Sequence, residues 1–391
     1  MNTDGCIEVK WINGSIDEYP YIYLRENCRC PACCNDKRKT RTLYTPKEVD
    51  LDVTAEFANW NTEHNQLAVK WEDGHTSNYS VDWLKHLRYR PPGEDQPLSG
   101  VIRKGIELWG PDMSQERKLP TFQFDKLLKD DKELFKWLVE IATRTGITKI
   151  ENAPSGSGHL GTLGHRVGYL MTTSYGLISE VKASGGQHEI SYAPSYLPFH
   201  TDLTYNQVQA AVLMLHCVEQ TKGEGGENIL VDGFHAAKLL YEEDPESFEI
   251  LVNTPVTFRN CTSKTTFGKM HTLSSHHLIR LDSAKKLKQL FYSDEYRDNQ
   301  MPLEPKLMKS FYKAYFRYSE LMQDKRTSFS YKMKPDEILA VNNGRVMHAR
   351  ADYKDTSDNV RHLEQGYFTW DCVDSKIRIL AENMGIQSPI D

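Results

Sequence analysis

A chain of 391 residues is long enough for one large enzyme core with a smaller unit attached. Its 39% hydrophobic and 26% charged residues are the mix of an ordinary globular protein and exclude a disordered one. A net charge of -6 excludes a general attraction to nucleic acid or to an anionic membrane, and no apolar run is long enough to span a bilayer.

Residues 1–92 read as a small β domain. Strands are predicted at Cys6–Ile12 and Ile22–Leu24, and a hairpin joins Leu67–Trp71 to Thr76–Val81 through the turn Asp73-Gly74. The breaker-rich run Arg90-Pro91-Pro92-Gly93-Glu94-Asp95 leads into a linker over 93–120. The main domain, 121–391, opens with Phe122–Phe124 and a helix over Asp131–Arg144, whose Leu134, Leu138 and Ile141 share one face. Gly146 ends that helix, and the strand Ile147–Ile150 follows. From Tyr192 onward strands dominate: Val208–Cys217, Asn228–Val231, Val256–Arg259, His277–Leu281, Ser328–Lys332, Glu337–Val341 and Arg361–Trp370. Two helices interrupt them, one from near Phe234 and one within Pro305–Met322. There is no βαβα alternation, so a doubly wound parallel sheet is excluded. Many antiparallel strands with a helical insertion predict a mainly β, distorted jelly roll. The opening MNTDGCIEVKW has neither a signal-peptide nor a mitochondrial-leader pattern, so a cytoplasmic location is expected.

Three features are set aside as carrying no chemistry. Gly156-Ser157-Gly158-His159-Leu160-Gly161 fits a dinucleotide fingerprint, but Ala153-Pro154-Ser155 separates it from the preceding strand and no βαβ unit follows; it reads as a loop into a helix. Lys285-Lys286-Leu287-Lys288 reads as a solvated helix face, and the pair His276-His277 as structural.

The segment Leu197-Pro198-Phe199-His200-Thr201-Asp202 carries the most information. Residues two apart in an extended segment point the same way, so His200 and Asp202 can reach one metal together. With a second histidine they form the facial triad of a non-haem iron oxygenase, which leaves open positions for a 2-oxo acid and dioxygen. His-x-Asp pairs are common by chance among fourteen histidines. His348, after the strand Glu337–Val341, is the best candidate for the second histidine. Arg361 lies beyond it and offers a planar fork for a distal carboxylate. Cys28, Cys30, Cys33 and Cys34 crowd into seven residues, which in a large chain points to metal rather than disulfides. Zinc takes four ligands. His75, just after the Asp73-Gly74 turn, and Cys34 compete for the fourth place, and reduced metal-free thiols are the plainer alternative.

Taken together, Phe199-His200-Thr201-Asp202, Leu215-His216-Cys217, Val231-Asp232-Gly233-Phe234, His348-Ala349-Arg350 and Arg361-His362-Leu363-Glu364 occur in an order that resembles the γ-butyrobetaine dioxygenase and trimethyllysine dioxygenase family. Tyr23-Leu24-Arg25-Glu26-Asn27-Cys28-Arg29-Cys30-Pro31-Ala32-Cys33 and Trp71-Glu72-Asp73-Gly74-His75 resemble it too, so the similarity spans nearly the whole chain. The resemblance implies a double-stranded β-helix catalytic domain, a zinc-binding N-terminal domain with ligands Cys28, Cys30, Cys33 and His75, and a homodimer. It implies Fe(II) on His200, Asp202 and His348, 2-oxoglutarate on Arg361, and ascorbate to keep the iron reduced. The reaction it implies is oxidative decarboxylation of 2-oxoglutarate to succinate with hydroxylation of an unactivated C–H bond. The leading expectation is γ-butyrobetaine hydroxylated at C3 to L-carnitine. Trimethyllysine or another quaternary ammonium acid is the alternative. A catalytically inactive, zinc-bearing binding protein is a further alternative, against which the intact triad and Arg361 argue.

Such substrates carry a trimethylammonium group, which cannot donate hydrogen bonds and is held by aromatic faces. By the same resemblance Tyr175, Tyr192 and Tyr367 line the substrate pocket. Two positions depart from the family: Ser179 stands where a Trp is usual, and Glu189 where γ-butyrobetaine dioxygenases carry an amide and the trimethyllysine enzymes an acid.

Overall fold

Burial alternates along the early strands, and that alternation builds the N-terminal sheet. In the computed structural model the described residues are 5–35, 37–38, 40–87, 101–115, 119–182, 193–262, 265–301, 303–354, 356 and 359–390. The chain divides into two compact units, Met1–Pro97 and Leu98–Asp391. In the first, β1 (Cys6–Lys10) pairs antiparallel with β2 (Ile16–Pro20) and turns Ile7 and Val9 inward. Next come helix α1 (Tyr21–Glu26), the short pair β3 (Cys34–Asn35) and β4 (Thr40–Arg41), and α2 (Thr45–Glu48). β5 (Ala55–Asn61), β6 (Gln66–Trp71) and β7 (Thr76–Ser80) form an antiparallel sheet, and α3 (Val81–Leu87) closes the unit. The expected hairpin is present, with Gly74 at φ +84° where a side chain would be strained. Ile22–Leu24, predicted as a strand, is instead the middle of α1. Burial falls on Tyr21, Leu24 and Arg25, a helical spacing that a three-residue apolar run cannot reveal.

The second unit begins earlier than a linker over 93–120 would allow. Residues 93–100 and 116–118 lie outside the described residues, but Val101, Trp109 and Met113 are buried in its core. Its first elements are α4 (Asp112–Gln115), β8 (Thr121–Gln123), α5 (Phe124–Lys129), α6 (Asp131–Val139), β9 (Ile147–Glu151), α7 (His159–Val167) and β10 (Ile178–Lys182). α6 runs into a π-helical turn over Glu140–Arg144, so the predicted helix spans both. Then come β11 (Leu197–His200), β12 (Val212–Glu219), β13 (Asn228–Asp232), α8 (Gly233–Glu243), α9 (Pro245–Asn253), β14 (Pro255–Thr262), β15 (Met270–His277), β16 (Ile279–Leu281) and β17 (Leu287–Leu290). The chain ends with α10 (Pro305–Gln323), β18 (Ser328–Tyr331), β19 (Ile338–Asn342), β20 (Val346–Arg350), β21 (His362–Phe368) and α11 (Trp370–Met384). The Lys285–Lys288 run is not a helix face. Lys285 sits in a turn at φ 59°, Lys286 is buried, and Leu287 already belongs to β17.

Two sheets carry the unit, in the orders β10-β21-β12-β19-β9-β8 and β11-β20-β13-β18, with β8–β9 their one parallel pair among the described residues. β12 and β19 are buried on both faces. Leu213, Leu215, Leu339 and Val341 face a core shared with Leu230 and Met347 of the second sheet. Val212, Met214, Ile338 and Ala340 face a second core, covered by α5, α6, α7 and α11. One charged pair locks the β13–α8 corner: Arg345 donates to both Asp232 oxygens, at 3.0 and 2.8 Å, with both side chains almost fully buried. Asp232 also accepts Trp109 N and Phe234 N. Asp232→Ala strands that guanidinium, and it is expected to lower unfolding free energy by about 3 kcal/mol in denaturant titrations. Wild-type stability in that variant would remove the lock.

Candidate metal centres and active-site pocket

The register of β11 against β20 sets His200 opposite His348, with ring centroids 4.2 Å apart. Asp202 follows two residues on, where the chain turns away through Leu203 at φ 57°. Its Oδ1 lies 3.3 Å from His200 Nε2 and 3.5 Å from His348 Nε2. Ligand atoms at right angles on a metal stand roughly 3 Å apart, so the three fit one ion. The rest of each side chain is held. His200 Nδ1 is 2.8 Å from Pro198 O, which leaves Nε2 for the ion. Asn343 accepts Asp202 N at 2.8 Å and donates to Asp202 O, and Tyr367 donates its hydroxyl to Asp202 Oδ2 at 2.8 Å. Burial disfavours the Asp202 charge, but His348 and His200 beside it outweigh burial and hold the carboxyl well below the usual range. Burial, with His200 adjacent, keeps His348 more readily neutral than usual. Burial disfavours a charge on His200 too, but its hydrogen bond to Asp202 and the charge of that carboxylate outweigh burial and raise its pKa, so an arriving ion displaces a proton there. A carboxylate with two imidazoles is the donor set that a divalent iron takes.

These three side chains line one pocket with Arg361, Arg350, Asn228, Tyr175, Tyr205, Tyr296, Glu295, Gln365 and Tyr367. Arg361 is 3% exposed. Its Nε donates to Gly226 O and its Nη2 to Asn228 Oδ1, both at 3.3 Å, and no carboxylate among the described residues pairs with it. Burial and the neighbouring Arg350 bring its pKa down to about 10, which still leaves it charged at neutral pH. A buried, charged fork with neutral partners is a site for an anion. Tyr175 hydrogen-bonds Tyr205, whose ring meets Tyr296 edge-on at 4.8 Å.

Of the residues expected in the substrate pocket, Tyr175 and Tyr367 line it. Ser179 on β10 stands opposite Gln365 of β21 on the same face, without itself lining the pocket. Glu189 and Tyr192 lie outside the described residues. Sequence reasoning missed Asn343, Tyr205, Tyr296 and Glu295. Only Asn343 had a usable signal, a paired Asn before Gly in a strand-to-strand turn. Tyr367 has a second use that was not foreseen, as a donor to Asp202. Tyr367→Phe is expected to weaken iron binding about tenfold, as loss of a partner to a metal ligand does; a titration that finds unchanged affinity contradicts this. The glycine fingerprint binds a protein carboxylate: Gly158 N donates to both Glu364 oxygens, at 2.9 and 2.8 Å, and α7 follows. His276, read as structural, stacks on Phe291 at 3.9 Å.

In the N-terminal unit Cys28, Cys30, Cys33 and His75 bring their ligand atoms within 4.8 Å of one another. His75 Nε2 is 3.2, 3.6 and 3.6 Å from the three sulfurs, spacings that suit a tetrahedral ion. Cys34 stands apart, with Arg29 Nη1 3.3 Å from its sulfur, so His75 is the better fourth member. Arg25, almost fully buried, bonds Asp73 Oδ2 at 2.8 Å and reaches Cys33 Sγ at 3.7 Å, while Asp73 Oδ1 accepts His75 N at 2.8 Å. Burial and the other two cysteines push the Cys33 thiol up to about 12, so crowded thiolates there call for a cation. Cys30→Ser should therefore lose bound zinc, and with it of the order of 10 kcal/mol of binding free energy, whereas Cys34→Ser should keep it; metal analysis of both reads the result.

A family model described as "Taurine catabolism dioxygenase TauD, TfdA family" matches residues 105–367, and the chain belongs to that family of 2-oxoglutarate-dependent dioxygenases. A second, "Gamma-butyrobetaine hydroxylase-like, N-terminal", matches residues 1–85. The chain is 29% identical over 378 residues to gamma-butyrobetaine dioxygenase of Homo sapiens, covering 97% of this chain and 95% of that one. It is 28% identical over 376 residues to the mitochondrial trimethyllysine dioxygenase of Mus musculus, covering 94% and 84%. Among solved structures, the PvcB protein from Pseudomonas aeruginosa matches with a TM-score of 0.45 and 15% identity, covering 72% and 93%. The resemblance drawn from the motifs is thus borne out by the family models and these relatives.

Proposed function

We propose that this enzyme hydroxylates γ-butyrobetaine at C3 to give L-carnitine, using Fe(II) on His200, Asp202 and His348 and 2-oxoglutarate on Arg361. The observation that carries this reading is the convergence of those three ligand side chains in one tyrosine-lined pocket with a buried guanidinium that has no acidic partner among the described residues. When bound, the iron supplies dioxygen activation at the expense of 2-oxoglutarate, which leaves as succinate and carbon dioxide. The chain's own residues orient the reactants. Arg361 and Asn228 hold the distal carboxylate, and Tyr367 and Asn343 keep Asp202 aimed at the ion. Tyr175, Tyr205 and Tyr296 offer aromatic faces to a quaternary ammonium, each worth about 0.5–2 kcal/mol where water is excluded. The N-terminal site holds structural zinc, closed by four protein ligands. A homodimer, and ascorbate as reductant, belong to the same reading.

Trimethyllysine is the second reading. Glu295 puts a carboxylate on the pocket wall, which suits a substrate carrying an ammonium as well as a trimethylammonium group. Incubating both substrates together with the iron-loaded enzyme and weighing the products separates the two readings. The first predicts a one-oxygen gain on γ-butyrobetaine in preference to trimethyllysine, and the reverse preference overturns it.

A further inference from the structure

Arg350 follows His348 by two residues on β20, so both side chains leave the same face, and both line the pocket. Arg350 is 3% exposed. Its Nη2 donates to the carbonyls of Ala193 and Ser195, at 2.7 Å to the latter, and Tyr353 N takes Pro194 O between them at 3.0 Å. The Tyr353 ring lies 5.3 Å from the same guanidinium. Three successive carbonyls are thus gripped by residues 350–353. The gripped segment lies at the surface: Pro194, Ser195 and Tyr196 are exposed, and β11 with His200 begins at Leu197.

The other side of Arg350 meets the anion site. It is the register partner of Asn228 in β13, and Asn228 accepts Arg361. Asn228 Nδ2 is buried with no hydrogen-bond partner among the described residues, a donor left over for a ligand. Gly226 O accepts Arg361 Nε, while Gly226 N donates to Asp352 O at 3.2 Å. The buried Arg350 and Arg361 guanidinium groups line one pocket and repel each other, and a carboxylate arriving at Arg361 relieves that repulsion.

We infer that Arg350 is a positioning residue which couples occupancy of the 2-oxoglutarate site to the order of residues 193–200, the backbone that delivers His200 to the iron. The inference rests on the proposed binding of 2-oxoglutarate at Arg361. Through it the co-substrate prepares the pocket wall at Leu197, and the chain next to Tyr192, before the substrate arrives.

Hydrogen exchange of the full-length, iron-loaded chain without oxygen tests this, because it needs no hydroxylation and no knowledge of the substrate. In the wild type, 2-oxoglutarate is expected to slow exchange of the 193–200 peptide by about fivefold or more, the lower range of site-to-site coupling. Arg350→Met is expected to abolish that slowing while still binding 2-oxoglutarate, and Arg350→Lys, which keeps the charge but not the fork, to retain less than half of it. Unchanged exchange of the β12 peptide shows that a variant is folded. Wild-type slowing in Arg350→Met or Arg350→Lys overturns the inference. So does a loss of 2-oxoglutarate affinity as deep as that of Arg361→Ala, which makes Arg350 a direct ligand. A failed γ-butyrobetaine assay leaves this result intact, so the two readings fail separately.

Discussion

Arg361→Ala is expected to weaken 2-oxoglutarate binding about 1000-fold, roughly 4 kcal/mol, within the range measured when one partner of a buried charge pair is removed. The size of the effect follows from where the side chain sits. Its neighbours are Gly226 O, Asn228 Oδ1 and another cation, so its charge is buried without compensation until a carboxylate arrives. Removing the fork takes away two charge-assisted hydrogen bonds and leaves the incoming carboxylate to be desolvated with little in return. Arg361→Lys should recover only part of the affinity, because a point charge cannot match the planar geometry. Iron binding should change little, since Arg361 touches none of the three ligand side chains. Calorimetry with 2-oxoglutarate alongside an iron titration reads both quantities, and equal losses in the two would contradict the assigned role.

The candidate iron triad was legible in the sequence because its pattern is short-range at each end. His200 and Asp202 two residues apart need only an extended chain, and His348 follows a strand that the apolar run Ile338-Leu339-Ala340-Val341 announces. The register that sets His200 opposite His348 was not legible, because it depends on β11 and β20 being neighbours although nearly 150 residues separate them. For the same reason Tyr205 and Tyr296 went unnoticed, since each joins the site through a long-range contact, whereas Asn343 had a turn signal that pointed to its place but not to its bond with Asp202. The cysteine cluster pointed to a metal, and what the sequence left open was the fourth member: the β6–β7 hairpin sets the His75 imidazole among the three sulfurs while Cys34 stands apart. Errors in the fold came from short or mixed patterns. Three apolar residues in α1 looked like a strand, and a lysine run looked solvated although Lys286 is buried between a turn and β17. α9 and α11 were missed, the latter because Trp370 reads as a continuation of β21 until Thr369 is seen capping the helix, its side chain accepting Cys372 N.

The largest expected effect is at the metal. His348→Ala removes one of three ligands and leaves the Asp202 carboxylate without the neighbour that most favours its charge, so turnover should fall by more than about 1000-fold, as it does when a residue of a catalytic unit is deleted. The most direct measurement is succinate release by the wild type and by His348→Ala, each supplied with Fe(II), 2-oxoglutarate and γ-butyrobetaine. One succinate per hydroxylated product in the wild type, with no iron-dependent succinate from the variant, is the predicted result. Undiminished succinate release from His348→Ala would contradict a ferrous centre at His200, Asp202 and His348.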